Sequence, residues 1–274
     1  MPLLLVDENK CKKDGLCVSE CPVAIIHQKD KDSFPALVPG GEQVCLRCGH
    51  CVAVCPHGAL SHKHIPIDAC PLIEKDLVIT EAQAAQFLRS RRSVRFFKDT
   101  PVENEILQRL IEIARYAPTG SNSQMVEWTV FTDKEKIRNL AGLTVDWMKH
   151  ARENDPDAKT PPYFPLIIAA WDFGMDVVLR DAPSVVIASA PASAVSGMAD
   201  VSLALSYLEL AAQTMKIGTC WAGLIQMAIN FWPPLQEAVG LPEGHIHHYA
   251  MMLGYAKPRY YRLPERKNPK IYWK

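Results

Sequence analysis

CLRCGHCVAVCP, residues 45–56, and CKKDGLCVSECP, residues 11–22, decide how the front of this chain is read. Aligned, they agree at six of twelve positions and lie 34 residues apart. That is an internal repeat. The second copy has the form C-x2-C-x2-C-x3-C-P, with Cys45, Cys48, Cys51 and Cys55 followed by Pro56. In the first copy Cys11, Cys17 and Cys21 stand at the matching places, and Asp14 takes the place of the second cysteine. This is the spacing of an iron–sulfur ligand run, in which the fourth cysteine serves the other cluster. Thiolates are soft donors that suit such clusters, and three at tight spacing can wrap one face of a cubane. A zinc site or idle thiols are the alternatives. Two overlapping runs, both ending in Cys-Pro, weigh against them.

Nine cysteines occur among 274 residues, seven of them between Cys11 and Cys55. The odd count, and a start (MPLLLVDENK) with no basic region and no cleavage site, argue against a secreted disulfide framework. The expected compartment is reducing cytoplasm. Hydrophobic residues make up 48% and charged residues 22%, which excludes global disorder. Thirty basic residues balance thirty acidic ones, so a general nucleic-acid binder is disfavoured. No apolar run approaches the roughly 18 residues of a membrane span.

Outward from the repeat, residues 1–70 are expected to form a small domain, with short strands at 1–6 and after Cys21 and with metal as its staple. Residues 71–274 change to alternating helix and strand signals. Thr80 and Gln83 fit a capping box opening a helix to about Ser90. Thr100, Pro101 and Glu103 fit cap, first-turn proline and capping box for a second helix. Its inner face is Ile106, Leu107, Leu110, Ile111 and Ala114. Val126 to Val130 alternate as in a strand, and residues 133–150 are amphipathic and helical. Val185 to Ala188 form a buried strand. Residues 198–216 form a long apolar helix closed by Gly218. Thr219–Ala222 and Ile246–Leu253 are further strands. The fold class is α+β, the second domain carrying a central mixed sheet.

The cysteine runs resemble those of bacterial two-cluster ferredoxins. The resemblance assigns Cys45, Cys48, Cys51 and Cys21 to one [4Fe–4S] cluster. It assigns Cys11, Cys17 and Cys55 to the other, with Asp14 at the remaining ligand position. That second cluster is then [4Fe–4S] with one oxygen ligand, or [3Fe–4S]. Farther on, RSRRSVRFF (89–97), the Thr-Pro-capped helix and APTGSNSQ (117–124) follow in the order found at the opening of nitroreductase-like flavoproteins. The resemblance covers about 85–268, and the whole chain looks like ferredoxin-fused members from anaerobic microbes. It implies FMN at a homodimer interface. Arg91, Arg92, Ser93 and Arg95 would hold the phosphate and ribityl chain, since arginine forks pair with phosphate. Pro118, Thr119, Gly120 and Asn122 of the other subunit would line the ring. The Ala222 and Gly223 amides would face flavin N5 and O4. Arg266 and Lys267 match the family's late basic pair, and Arg180 is the one basic residue in GMDVVLRDAP. Residues 144–180 are expected to cover the acceptor pocket.

The activity so implied is an iron–sulfur flavoprotein oxidoreductase. A low-potential donor such as ferredoxin would feed two clusters, then FMN, then a small electron-poor acceptor: a nitroaromatic, quinone or activated alkene. No catalytic side chain is expected, because the chemistry resides on the flavin. The rival readings are an NAD(P)H-dependent nitroreductase and a non-catalytic redox sensor or relay subunit. No G-x-G-x-x-G occurs. Cys70 and Cys220 read as small buried hydrophobes, His57 as a surface residue beside one run, and His245, His247 and His248 as strand residues.

Overall fold

The computed structural model describes residues 2–154 and 160–274. Contacts divide it into two units: residues 1–78 with 121–123, and residues 79–120 with 124–274. The sequence puts the boundary near residue 70.

The first unit is built from β1 (Leu4–Val6), α1 (Leu16–Ser19), β2 (Ile26–His27), β3 (Ala36–Leu37), α2 (Gly41–Val44), α3 (His50–Ala53) and β4 (Leu60–His62). β1 pairs antiparallel with β4, and β2 with β3. The sequence repeat is also a backbone repeat. Gly15 and Gly49, 34 residues apart, precede the one-turn helices α1 and α3 with φ of 72° and 75°. Lys13 and Arg47, also 34 apart, adopt φ of 60° and 50°. Left-handed backbone is easy for glycine and strained for lysine or arginine. The same strain at both loops shows that one chain path is imposed twice. The small core joins Cys17, Val52 and Leu60, with Leu4, Val6, Ile67 and Cys70 against it.

The second unit contains α4 (Glu81–Ser90), α5 (Asn104–Ala114), β5 (Glu127–Phe131), α6 (Lys134–Asn154), α7 (Phe164–Asp172), β6 (Ser184–Pro191), α8 (Gly197–Thr214), β7 (Ile217–Trp221), α9 (Gly223–Ile229), α10 (Pro233–Val239) and β8 (His245–Tyr255). The sheet order is β5-β6-β8-β7. Every pairing between these strands is antiparallel, and the mixed character expected is confined to one parallel bridge, Ser93–Thr219, at the β7 edge. Alternate residues face opposite layers. Val185, Ile187, Ala250 and Met252 pack with α6, α7, α9 and α10. Val186, Ala188, Met251 and Leu253 pack with α5 and α8. Covered on both faces, residues 185–188 of β6 and 250–253 of β8 read as continuous apolar runs instead of alternating ones.

Thr80 forms its capping box with Gln83, and the face predicted for α5 is the one it buries. Two local expectations are corrected. α5 begins at Asn104 with Glu103 as its cap residue, and no side chain caps it. The Glu103 carboxylate instead accepts the Tyr255 hydroxyl at 2.7 Å, and Val102 is drawn into the core. Gly218 does not close α8: it lies inside β7, where a Cβ would stand 2.7 Å from Val94. The left-handed position after α8 falls to Lys216 (φ 61°). The expected acceptor cover takes in the end of α6 and all of α7, and its residues 155–159 lie outside the described residues.

Gly254 in β8 offers a test. A Cβ there would come within 2.6 Å of Pro183 and 2.8 Å of Phe97. Glycine in a strand interior is ordinarily the weaker choice, so Gly254→Ala would be neutral or stabilising if the space were open. The expected result is a loss of about 1–3 kcal/mol, measured by denaturant unfolding.

Candidate functional site

In the first unit the loops of the repeat surround two cavities. One is lined by Cys21, Cys45, Cys48 and Cys51, among the apolar side chains of Leu4, Ile25, Ile26 and Leu37. The other is lined by Cys11, Asp14, Cys17 and Cys55, with His57, Lys12 and Lys13. Each cavity thus gathers one of the two predicted ligand sets, and each set draws on both copies of the repeat. All nine cysteines are free. Among the described residues no three His, Cys, Asp or Glu side chains converge closely enough to hold a single ion. In each cavity the candidate ligands stand around one shared space.

Burial pushes the Cys51 thiol up to about 11, with Cys48, Cys21 and Cys45 pushing in the same direction. Burial likewise raises Cys17, and the charges of Cys55, Cys11 and Asp14 add to it. Four crowded, half-buried thiolates repel one another, and positive charge among them is what allows all four to ionise. Backbone amides supply part of it: Arg47 donates to Cys45 Sγ and Ala59 to Cys55 Sγ, each at 3.4 Å. His62, which the sequence did not single out, is buried with Nε2 3.7 Å from Cys45 Sγ.

Asp14 differs from its counterpart Cys48. Its Oδ1 accepts the Leu16 amide at 3.1 Å, and its Oδ2 lies 3.6 Å from His57 Nε2. The carboxylate therefore both steadies the start of α1 and lines the cavity. His57, read as a surface residue, is exposed and is its partner.

In the second unit Arg91 and Arg92 line a cavity with Glu209, Lys216, Gly218, Thr219 and Arg259. The chain from Ser93 is fixed beside β7, the Val94 amide donating to the Thr219 carbonyl at 2.8 Å. Arg91 donates to the buried Glu209 at 3.0 Å. Arg95 lies outside that cavity, close enough to Cys220 that its charge acts on the thiol together with that of Arg180. Arg266 and Lys267 are exposed in the C-terminal segment. Arg259, four residues past the end of β8, is a late basic residue that reaches the cavity. Its signal was its position soon after a strand.

The 117–124 loop is held by specific bonds. Gly120 donates its amide to the buried Asp200 at 2.9 Å, and Thr119 Oγ1 accepts the Gln124 amide at 3.0 Å. Pro118 is exposed. Asn122, expected to line a ring, donates its side-chain amide to the Leu46 and Arg47 carbonyls at 3.1 and 3.0 Å. The Ala222 amide is taken up by the Ala250 carbonyl at 2.9 Å, so it is not available to a flavin. Gly223 opens α9, where no helical carbonyl reaches its amide. The three strand histidines have separate surroundings: His245 bonds Ser189, His248 bonds Gln226, and His247 packs on Gly197.

Comparison with known proteins agrees with both halves. Residues 9–60 match the 4Fe-4S dicluster domain. A ferredoxin described as 7Fe, from Hydrogenibacillus schlegelii, is 41% identical over 51 residues, 19% of this chain and 59% of that protein. A putative NADH dehydrogenase/NAD(P)H nitroreductase from Archaeoglobus fulgidus is 23% identical over 192 residues, 68% of this chain and 94% of that one. The crystal structure of a nitroreductase with bound FMN from Bacteroides fragilis has the same fold. It covers 70% of this chain and 96% of its own, with TM-score 0.56 and 21% identity. Residues 88–255 match the nitroreductase family over more than half of the chain, and to that family the chain belongs.

Proposed function

We propose that this chain is an FMN-dependent oxidoreductase whose front unit carries two iron–sulfur clusters. Electrons from a low-potential one-electron donor such as a ferredoxin reach FMN through the clusters, and a small electron-poor acceptor takes them up in pairs. The observation that carries this reading is the gathering of one complete ligand set at each of two cavities, in a chain of the nitroreductase family. When bound, the clusters pass single electrons, and FMN links one-electron to two-electron transfer.

The residues fit these groups. Cys21, Cys45, Cys48 and Cys51 offer four soft donors for one cluster. Cys11, Cys17, Cys55 and the harder Asp14 offer a set whose fourth corner is labile. For FMN, Arg91, Arg92 and Arg259, with Lys216 beside them, give a cavity fitted to a phosphate. Ser93 lies on the same strand edge. Glu209 orients this end of the site. It accepts Arg91 and Thr219 on Oε1, at 3.0 and 3.2 Å, and Trp221 on Oε2 at 3.1 Å. Pro118, Thr119 and Gly120 and the amide of Gly223 remain as ring contacts. Arg95 is placed toward the ribityl chain.

The homodimer belongs to the same reading. No helix or strand follows β8, yet Tyr261, Tyr272 and Trp273 are 78–90% exposed. Apolar side chains in a tail of that kind suit wrapping around a second subunit. Among the described residues no helix is long and apolar enough to cross a membrane. A second reading, direct reduction of the flavin by NAD(P)H, is favoured by the name of the Archaeoglobus fulgidus relative.

Anaerobically purified protein is expected to carry about seven to eight irons per chain, with FMN. Zinc in place of iron would overturn the reading. Mild oxidation is expected to remove one iron from the Asp14 cluster first, giving a [3Fe–4S] electron paramagnetic resonance signal. Asp14→Cys is expected to suppress it, and an equal signal in both proteins contradicts the assignment of Asp14. Glu209→Gln puts an N–H donor among three donors. It is expected to lower stability by about 1–3 kcal/mol and to weaken FMN binding by misplacing Arg91. Calorimetric titration with FMN and denaturant unfolding check the two effects.

A further inference from the structure

We infer that His62 is a positioning residue for the Cys45 cluster, its imidazole donating a hydrogen bond through Nε2 to Cys45 Sγ and so raising that cluster's reduction potential. The inference rests on the reading that Cys45 ligates a cluster.

His62 ends β4, paired with Leu4 of β1, and only 2% of it is exposed. Its side chain enters a cavity otherwise lined largely by Leu4, Ile25, Ile26, Leu37 and the four cysteines. Leucine would be the ordinary residue at such a place, because a buried polar group needs partners. The imidazole has one on each nitrogen. The His64 backbone N–H points at Nδ1 from 3.1 Å. A backbone amide can only donate, so Nδ1 holds the lone pair and Nε2 carries the hydrogen. Nε2 stands 3.7 Å from Cys45 Sγ, within reach of an N–H···S bond. The tautomer is thus set by a main-chain bond two residues away, the usual way an outer partner fixes a ring near a metal ligand.

Cys45 Sγ therefore receives two donors, Arg47 N–H and His62 Nε2–H. Donors draw charge from the sulfur and favour the more negative, reduced state, and such bonds are one of the protein's means of setting cluster potential. The second cavity is built differently. Among the described residues, its cysteines have the Ala59 amide on Cys55, and its histidine faces the carboxylate of Asp14. His62 thereby separates the potentials of two clusters held by one repeated loop.

The test is an anaerobic redox titration of the full-length, iron-loaded protein, followed by electron paramagnetic resonance. His62→Leu removes the donor and keeps the bulk, and His62→Gln keeps an N–H. At fixed potential His62→Leu should lower the reduced-to-oxidised ratio of the Cys45 cluster about tenfold, or 59 mV for a one-electron couple. The Asp14 cluster should stay unchanged, and His62→Gln should fall between. Unchanged potentials, or an equal shift of both clusters, overturn the inference. Should His62→Leu fail to assemble, wild-type protein labelled with ¹⁵N-histidine decides. Electron–nuclear double resonance should show one exchangeable imidazole proton coupled to the reduced Cys45 cluster, and its absence overturns the inference. Wild-type protein that binds no iron overturns the cluster reading itself.

Discussion

Burial of crowded thiols is the constraint on which the front unit depends. Two sets of candidate ligands lie within residues 11–55, and burial already drives Cys51 and Cys17 toward the neutral thiol. Such sets hold together as thiolates only when positive charge sits among them. The fold answers with geometry. Lys13 and Arg47 accept left-handed backbone, and Gly15 and Gly49 follow in the same conformation. Both loops thereby turn sulfurs inward and start a short helix. The buried apolar residues under them are few, namely Leu3, Cys17, Ile25, Ile26, Val52, Ala59 and Leu60, a small core for a unit of this size.

The second unit rests on ordinary packing, and its polar features are correspondingly exact in position. Helices cover β6 and β8 on both faces, so side chains at the sheet edges and at bends carry the chemistry. Close approach at Gly218 lets the segment after Arg91 and Arg92 lie against β7. The buried Glu209 joins that segment to α8 and to Thr219 and Trp221. A carboxylate buried this deeply is tolerated because its oxygens meet a guanidinium, a hydroxyl and an indole N–H. The consequence is a basic cavity with one arginine held in a defined orientation.

That each candidate ligand set lines one cavity was legible because its cysteines come at short, fixed spacing with their own punctuation. The faces of α5, β6 and β8 were legible because apolar runs record burial. Glu103 and Gly218 misled for a common reason: both carry the local signal of a helix end, and a tertiary contact outweighs it. Tyr255 claims the Glu103 carboxylate, and Val94 occupies the space a Cβ on Gly218 would need. Ala222 reads as a free amide only until β8 is placed beside it. Arg259 and His62 have no motif around them; their places follow from where β8 and β4 end, His62 being the last residue of β4 and Arg259 lying four residues past β8. Asn122 is similar, its amide being taken by two carbonyls that sequence order puts 75 and 76 residues away.

The central claim is that the clusters are the route by which electrons enter the flavin. Anaerobic stopped-flow absorption, with reduced ferredoxin as donor, tests it most directly in protein carrying the full iron complement and in protein stripped of iron but loaded with FMN. The account predicts that cluster bleaching precedes flavin bleaching in the first, and that flavin bleaching is slowed at least a hundredfold, about 2.7 kcal/mol of barrier, in the second. Equal flavin reduction in both, or rapid bleaching by NADH with none by ferredoxin, would contradict it.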